Sequence, residues 1–436
     1  MTRIAIFLAV CLTCRPSFAA DQRDLPAAIF EYAERAEPAY KWNLIGTRNL
    51  PQGVVHQLHL VSQTWHDIVW EHDLLVYEPR RLDHPEHMLL FVTGGQNGRL
   101  PGDDELALGS TLANLCGARV ASLHQVPNQP LLGDRVEDDL ITETWLKYLA
   151  TGDETWPLLF PMVKSAHKAM DALEEFARSE LRQPVTGFVI TGGSKRGWTS
   201  WLTPLVDHRV IATAPIVIDT LNFPVQTKNQ LDTWGQYSEQ IADYTSKGLV
   251  KPPGAPLTER EERLWKMMDP YTYRSALNLP KLIVNGTNDR YWVVDAVKFY
   301  WDDLEGLKYI REVPNAGHGL GDGREGAFRS VAAFFRHAAL GKSLPNLTWR
   351  HTQSEKQSQL TLATDTPPVA ARLWTATSGS RDFREAPWSS TLLNREAGDY
   401  VGNVARAQGR HLALFGELEF DLNGLKYSLT TRVFQE

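Results

Sequence analysis

Three residues far apart in the chain, Ser194, Asp289 and His318, are of the types and in the order that nucleophilic acyl transfer uses. A serine hydroxyl becomes a competent nucleophile when an imidazole takes its proton, and a carboxylate holds that imidazole in the right tautomer. Each of the three follows an apolar run of strand length. Gly187-Phe188-Val189-Ile190 leads to Ser194, Lys281-Leu282-Ile283-Val284-Asn285 to Asp289, and Lys308-Tyr309-Ile310-Arg311-Glu312-Val313 to His318. Residues just beyond the carboxyl ends of neighbouring parallel strands meet at one edge of a sheet, so all three should converge there. Asp295 is a rival acid, but it falls in the first turn of a helix expected over residues 295–304, where it reads as a cap or dipole partner.

The surroundings of Ser194 carry further candidates. Thr191-Gly192-Gly193-Ser194-Lys195-Arg196-Gly197-Trp198 reads as strand, glycine turn, serine and helix, the layout of a nucleophile elbow. Gly192 stands two before the serine, whereas the position two after it is Arg196 and Gly197 follows one residue later. The run Met88-Leu89-Leu90-Phe91-Val92 opens into Thr93-Gly94-Gly95-Gln96-Asn97-Gly98, a loop able to bring a backbone amide close to a reacting carbonyl. The amides of Lys195 and of Gly95 or Gln96 are therefore the candidate oxyanion hole. Arg196, Trp198 and Trp234 are candidates for contact with substrate. Lys195 and Arg196 put two positive charges beside the serine, which makes them the first place to seek a preference for anionic substrates. The competing reading is that both pair with nearby acids or face solvent. His56 and His59 are three apart on a strand, and His66, His72, His84 and His87 lack ligand spacing and read as surface or loop residues. Neither a metal nor another cofactor is expected.

The elements that must position these groups alternate. Strand patterns occupy residues 54–60, 68–70, 74–77, 88–92, 118–123, 187–190, 210–218, 281–285 and 308–313, with helical periodicity over 106–114, from 137, over 161–178 and over 326–340. Strands alternating with helices imply a mostly parallel sheet covered on both faces. Residues 219–279 break the rhythm with scattered tryptophans and tyrosines, as an inserted lid over the strand ends would. From residue 346 short strand-like runs at 347–351, 359–363, 369–375, 412–418 and 425–432 replace the helices, as in a small β-sandwich. The expected division is a hydrolase-type α/β domain over residues 20–343, with its lid at 219–279, and a β-sandwich over 344–436.

Residues 1–19 carry Arg3, an apolar run from 4 to 12 and Ser17-Phe18-Ala19, the pattern of a secretory leader too short to span a bilayer. With Cys11 and Cys14 in that leader, only Cys116 remains, so a mature chain holds no internal disulfide. A net charge of −7 without a basic run argues against nucleic acid as a partner. No other stretch is long enough for stable membrane insertion. The expected partner is a small-molecule or peptide substrate, and oligomeric state is left open.

Ser62-Gln63-Thr64-Trp65, Val126-Pro127-Asn128-Gln129-Pro130-Leu131, Glu137-Asp138-Asp139-Leu140-Ile141, residues 192–198 and Val217-Ile218-Asp219 together resemble the PhoPQ-activated pathogenicity-related proteins. The resemblance implies a secreted α/β-hydrolase linked to virulence or antimicrobial-peptide resistance, and supplies no substrate. The elbow spacing is also similar to that of glucuronoyl esterases, with Lys195 in place of their arginine and Gly193 in place of their cysteine. The appended β domain resembles the domain organisation of dipeptidyl-peptidase-type enzymes without their propeller. The reading is a secreted serine hydrolase that cleaves an ester or amide through an acyl-enzyme. Its alternative is a non-catalytic secreted binding or signalling protein on the same fold.

Overall fold

The computed structural model describes residues 25–436, and the expected leader with Cys11 and Cys14 lies outside the described residues. Helix α1 (Ala28–Glu34) precedes an antiparallel meander of β1 (Lys41–Leu50), β2 (Gly53–Trp65) and β3 (Ile68–Pro79). The chain then continues through β4 (His87–Val92), α2 (Asp103–Cys116), β5 (Arg119–Leu123), α3 (Glu137–Thr151), α4 (Leu159–Ser179), β6 (Gly187–Gly193), α5 (Lys195–Val206) and β7 (Val210–Ile216). Three helices follow, α6 (Phe223–Trp234), α7 (Ala242–Ser246) and α8 (Glu259–Met268), before β8 (Lys281–Gly286), β9 (Lys308–Val313) and α9 (Arg324–Ala339). The nine strands form one sheet in the order β1-β2-β3-β5-β4-β6-β7-β8-β9. Pairing is parallel from β5 across to β9. This is the α/β-hydrolase arrangement with the meander as its antiparallel edge.

Side chains alternate across the parallel strands and so feed two cores. Leu90, Ile190, Ile283 and Ile310 join the cluster on one face, with α4 and α5. Leu89, Val189, Val284 and Val313 join the other, with α2 and α9. The apolar stripe of α4 includes Val163, Ala166, Met170, Leu173 and Ala177, all buried. Because β4 and β6 are neighbours, the loop after β4 and the turn at Ser194 leave the sheet side by side.

Several expectations need correction. Strand β1 is almost wholly exposed and pairs only with β2, so it lacked the apolar alternation that would reveal it. The helix expected over 295–304 is a single 3-10 turn at Ala296–Phe299 followed by turns. Aromatic residues 299–301 lose rotamer freedom in a helix, and Tyr300 leaves helical geometry at φ −146°. His72 is buried, not at the surface. Its ring sits 2.9 Å from both Ser62 Oγ and the His124 carbonyl, and burial pulls its pKa down to about 4. Cys116 is a buried free thiol, which burial pushes up to about 12.

After α9 come β10 (Leu347–Gln353), β11 (Gln357–Thr364), β12 (Ala370–Ser378), β13 (Ser389–Leu392), β14 (Arg395–Glu396), β15 (Asp399–Ala405), β16 (His411–Leu422), β17 (Leu425–Thr430) and β18 (Phe434–Gln435). They form two antiparallel sheets, β10-β11-β15-β14 and β13-β12-β16-β17, with β18 paired to β16. The sandwich is fused to the hydrolase part. Val331 and Phe335 of α9 share one apolar cluster with Leu360 and Leu429. Arg311 Nη1 donates to Glu417 Oε1 at 2.9 Å in a buried pair, and Ser330 Oγ donates to the Ser428 carbonyl at 2.9 Å.

Candidate active site

Ser194 links β6 to α5 at φ 57° and ψ −124°, a strained conformation that costs about 1–3 kcal/mol and survives only where the surroundings enforce it. Two backbone bonds do so: Ser194 N donates to Ile216 O of β7 at 2.8 Å, and Trp198 N donates to Ser194 O at 2.9 Å. The displaced glycine has a steric reason. A Cβ on Gly192 would lie 2.7 Å from Arg196 O and 2.8 Å from Val92 O, and one on Gly197 would lie 2.8 Å from Ile216 O and 2.9 Å from Gly192 O. Gly197 is therefore the residue at which α5 crosses β6 and β7, which leaves the position of Arg196 free for a long side chain. Around Gly193 there is nothing within 4 Å of a Cβ. Gly197→Ala should lower unfolding free energy by about 1–3 kcal/mol through overpacking. Gly193→Ala should stay within about 0.5 kcal/mol of wild type. Urea titration of the two variants checks the contrast.

The three residues singled out by chain order are brought together. His318 Nε2 lies 2.8 Å from Ser194 Oγ, and His318 Nδ1 lies 2.7 Å from Asp289 Oδ2. A carboxylate only accepts, so Nδ1 donates to Asp289 and Nε2 is left to accept from the serine hydroxyl. Asp289 is buried, and its second oxygen accepts from Tyr291 N at 2.9 Å, which fixes the carboxylate plane. The Tyr291 ring covers the imidazole at 4.3 Å between centroids. Asp295 points elsewhere and pairs with Lys298 at 2.7 Å. A further buried acid sits at the start of the lid: Asp219 accepts from Tyr300 Oη at 2.5 Å. Burial, opposed by that bond and reinforced by the charges of Asp289 and Asp295, pushes its carboxyl up to about 7. Only its place in the Val217-Ile218-Asp219 motif signalled it.

The amides of Lys195, Gly95 and Gln96 donate to no acceptor among the described residues. Lys195 lines the cavity that contains Ser194, while Gly95 and Gln96 line a separate cleft with Arg99, Gln125 and Gln129. Gly95 has φ 122°, a backbone conformation few other residues adopt. The charged side chains behave differently from the anion-binding expectation. Arg196 is buried and turned into the protein, where Nη1 and Nη2 meet the two oxygens of Glu137 at 2.8 and 2.7 Å and Nε donates to Val126 O. Lys195 Nζ lies 3.2 Å from Glu137 Oε2 and 3.2 Å from Asp138 Oδ2. Two cations and two carboxylates cancel, so neither side chain offers a free positive charge to a substrate. Burial alone would raise the Glu137 carboxyl, but the bonds and charges of Arg196 and Lys195 hold it at about 2. Arg196 also props the loop after β4, since a Cβ on Gly94 would lie 2.6 Å from its guanidinium.

A cavity of ≈ 90 Å³ opens beside Ser194. Trp198 lines it, with its indole N–H donating to Met268 O of α8 at 2.7 Å. Trp234 does not line it: the Arg384 guanidinium of the sandwich covers its ring at 4.1 Å. The aromatic residues that do line it, among them Trp145, Trp265 and Trp292, come from α3, α8 and the loop after Asp289. The sequence displays no period linking them, because only the tertiary fold gathers them.

The sandwich also reaches this site through residues 382–388. Asn288 Nδ2, next to Asp289, lies 3.2, 3.2 and 2.9 Å from the carbonyls of Phe383, Arg384 and Ala386. Asn315, three residues before His318, donates through Nδ2 to Trp388 O at 2.9 Å and accepts through Oδ1 from Trp388 N at 2.7 Å. One strap thus ties the acid loop and the histidine loop together. Asn288→Ala should cost about 1–3 kcal/mol of stability by orphaning those carbonyls, which denaturant unfolding measures.

The PhoPQ-activated pathogenicity-related protein family matches residues 29–384, which include Ser194, Asp289, His318 and part of the strap. Autocrine proliferation repressor protein A of Dictyostelium discoideum is 32% identical over 391 residues, covering 83% of this chain and 77% of that protein. Among solved structures, acetyl xylan esterase 1 from Thermoanaerobacterium sp. JW/SL YS485 matches with a TM-score of 0.47 at 15% identity, over 70% of this chain and 93% of its own. A glucuronoyl esterase from Solibacter usitatus matches with a TM-score of 0.44 at 10% identity, over 72% and 91%. The family match runs from α1 through the sheet, the lid and the first strands of the sandwich, so the chain belongs to the PhoPQ-activated pathogenicity-related protein family.

Proposed function

We propose that this protein is a serine hydrolase that cleaves an ester or amide bond through an acyl-enzyme. The observation that carries the reading is the unbroken relay from Asp289 Oδ2 through His318 to Ser194 Oγ, at 2.7 and 2.8 Å. Ser194 Oγ attacks the carbonyl carbon as its proton passes to His318 Nε2. The tetrahedral intermediate then expels the alcohol or amine, which takes that proton, and leaves the acyl group on Oγ. Water, deprotonated by the same nitrogen, repeats the sequence and releases the acid with Ser194 restored. Asp289 keeps its charge and stabilises the imidazolium. The Lys195 amide and one from Gly95 or Gln96 receive the developing oxyanion, where losing a donor typically costs roughly 10²–10³ in turnover.

The experiment is to treat the folded protein with a fluorophosphonate probe and locate the adduct by peptide mass spectrometry. Stoichiometric modification of Ser194 is expected, and an unmodified Ser194 in folded protein would sink the proposal. A leader-like segment at residues 1–19 supports action outside the cytoplasm, and the family's description supports a link to pathogenicity. No helix among the described residues is long and apolar enough to cross a membrane. A second reading, a signalling protein using the fold as a binding surface, is favoured by the name of the Dictyostelium relative. It predicts that Ser194→Ala leaves the biological effect intact.

A further inference from the structure

We infer that the Ser194 cavity takes a neutral apolar group about the size of one aromatic ring, carried on one side of the scissile bond. The inference rests on the serine hydrolase reading and adds the substrate class. Its basis is the state of the charged groups and the side-chain amides around the cavity. Asp138 accepts from Tyr244 Oη at 3.1 Å and from Tyr291 Oη at 3.2 Å, and it pairs with Lys195 at 3.2 Å. Gln226 Nε2 donates to the carbonyls of Leu221 and Ala296, each at 3.1 Å. Gln230 donates to Tyr291 O at 2.9 Å and accepts from Ser238 N at 2.9 Å.

Those groups are bound to one another, so a charged substrate would find no counter-ion without breaking a buried pair. An anion would face Asp138 and a cation would face Lys195. Apart from the neutral hydroxyl of Thr220, what remains for a ligand is the apolar wall of Trp145, Trp198, Phe223, Leu249, Trp265 and Trp292. Two of those indoles, Trp145 and Trp292, have buried N–H groups without a partner in the protein. Both nitrogens are buried out of reach of a ligand, so these two indoles present ring carbon to the cavity and not a donor. The size follows from the volume: a closed apolar cavity of roughly 150 Å³ holds benzene. At ≈ 90 Å³ this site is smaller than that, which sets a single ring or a short branched chain as the largest group it suits.

The test compares kcat/KM of the full chain across two series. In the first, p-nitrophenyl acetate, p-nitrophenyl phenylacetate and mono-p-nitrophenyl glutarate vary the acyl side. In the second, methyl and benzyl acetate vary the alcohol side. The ring-bearing ester should exceed its methyl counterpart by about 10–200-fold in at least one series. The anionic glutarate should fall at least about tenfold below phenylacetate. Val250 also lines the cavity, and Val250→Trp should narrow the ring-to-acetate ratio by about tenfold or more, because the added indole occupies the same space. Ser194-dependent turnover with no ring preference in either series, or with glutarate preferred, would overturn the substrate class and leave the hydrolase reading standing. Absence of both fluorophosphonate labelling and turnover on all five esters would overturn the two together.

Discussion

Ser194→Ala should abolish labelling by fluorophosphonate and lower kcat on any accepted ester by about 10⁴–10⁶, while thermal unfolding stays near wild type. The size of the effect follows from the relay, since without Oγ the imidazole has no nucleophile to activate. His318→Ala should cost nearly as much, and the double variant should be no worse than either alone, because residues acting as one unit are not additive. Asp289→Asn should be severe for a different reason. An amide in place of Oδ2 can donate to His318 Nδ1, which turns the ring toward the tautomer that presents a hydrogen to Ser194 instead of a lone pair. Steady-state kinetics on a chromogenic ester that wild type accepts, with circular dichroism of each variant, checks all three. Activity that persists unchanged in Ser194→Ala identifies a different nucleophile.

The second large effect is on stability. Glu137→Gln removes the carboxylate that both Arg196 and Lys195 contact, and these cations are 8% and 7% exposed. Leaving a buried charge without its partner costs about 3–5 kcal/mol. The lower end, about 3 kcal/mol, is expected here, because the Glu137 side chain is itself 40% exposed and Asp138 still pairs with Lys195. A pH dependence accompanies it. Glu137 in the folded protein is held at about 2, below its ordinary value of 4.5. A carboxyl depressed on folding contributes stability above its unfolded pKa and loses it as pH falls through the folded one. The contribution is therefore present above about pH 5 and fades between about 5 and 2. Urea midpoints of wild type and Glu137→Gln should be well separated at pH 7 and converge towards pH 2. A constant gap across that range would show that the pair stabilises by some other route.

The two effects are linked through Arg196, which touches Glu137, the Val126 carbonyl and the loop at Gly94. Loss of Glu137 frees that guanidinium and so loosens the loop that carries Gly95 and Gln96. In the hydrolase reading, Glu137→Gln should thus lower kcat as well as stability, through one of the two proposed oxyanion donors.

The parallel strands were legible because burial on both faces forces continuous apolar runs, and each such run from Met88 onward became a strand. The stripe of α4 was legible for the analogous reason, a helical period facing the sheet. Strand β1 and the short strands β13 and β14 were not, because their side chains are mostly exposed and backbone pairing alone defines them. The sequence pattern over 295–304 resembles a helix that the fold does not form, since apolar residues buried in a run of tight turns mimic a helical stripe.

Chain order by itself determined which serine, acid and histidine could meet, because residues just past the ends of parallel strands have only one edge of the sheet at which to converge. It also brought two positive charges next to the serine, but not what those charges do. Only the tertiary structure decided that, by folding Glu137 and Asp138 of α3 against Lys195 and Arg196 from 57 to 59 residues away. Charge compensation depends on the distance between side chains in space, and no pattern along the chain encodes the packing of α3 on α5. The same holds for the aromatic cavity and for the strap from the sandwich, whose parts lie up to 98 residues from the loops they hold. Local sequence specifies which strands and turns form, whereas the contacts that set the character of the site are made between segments that only the completed fold brings together.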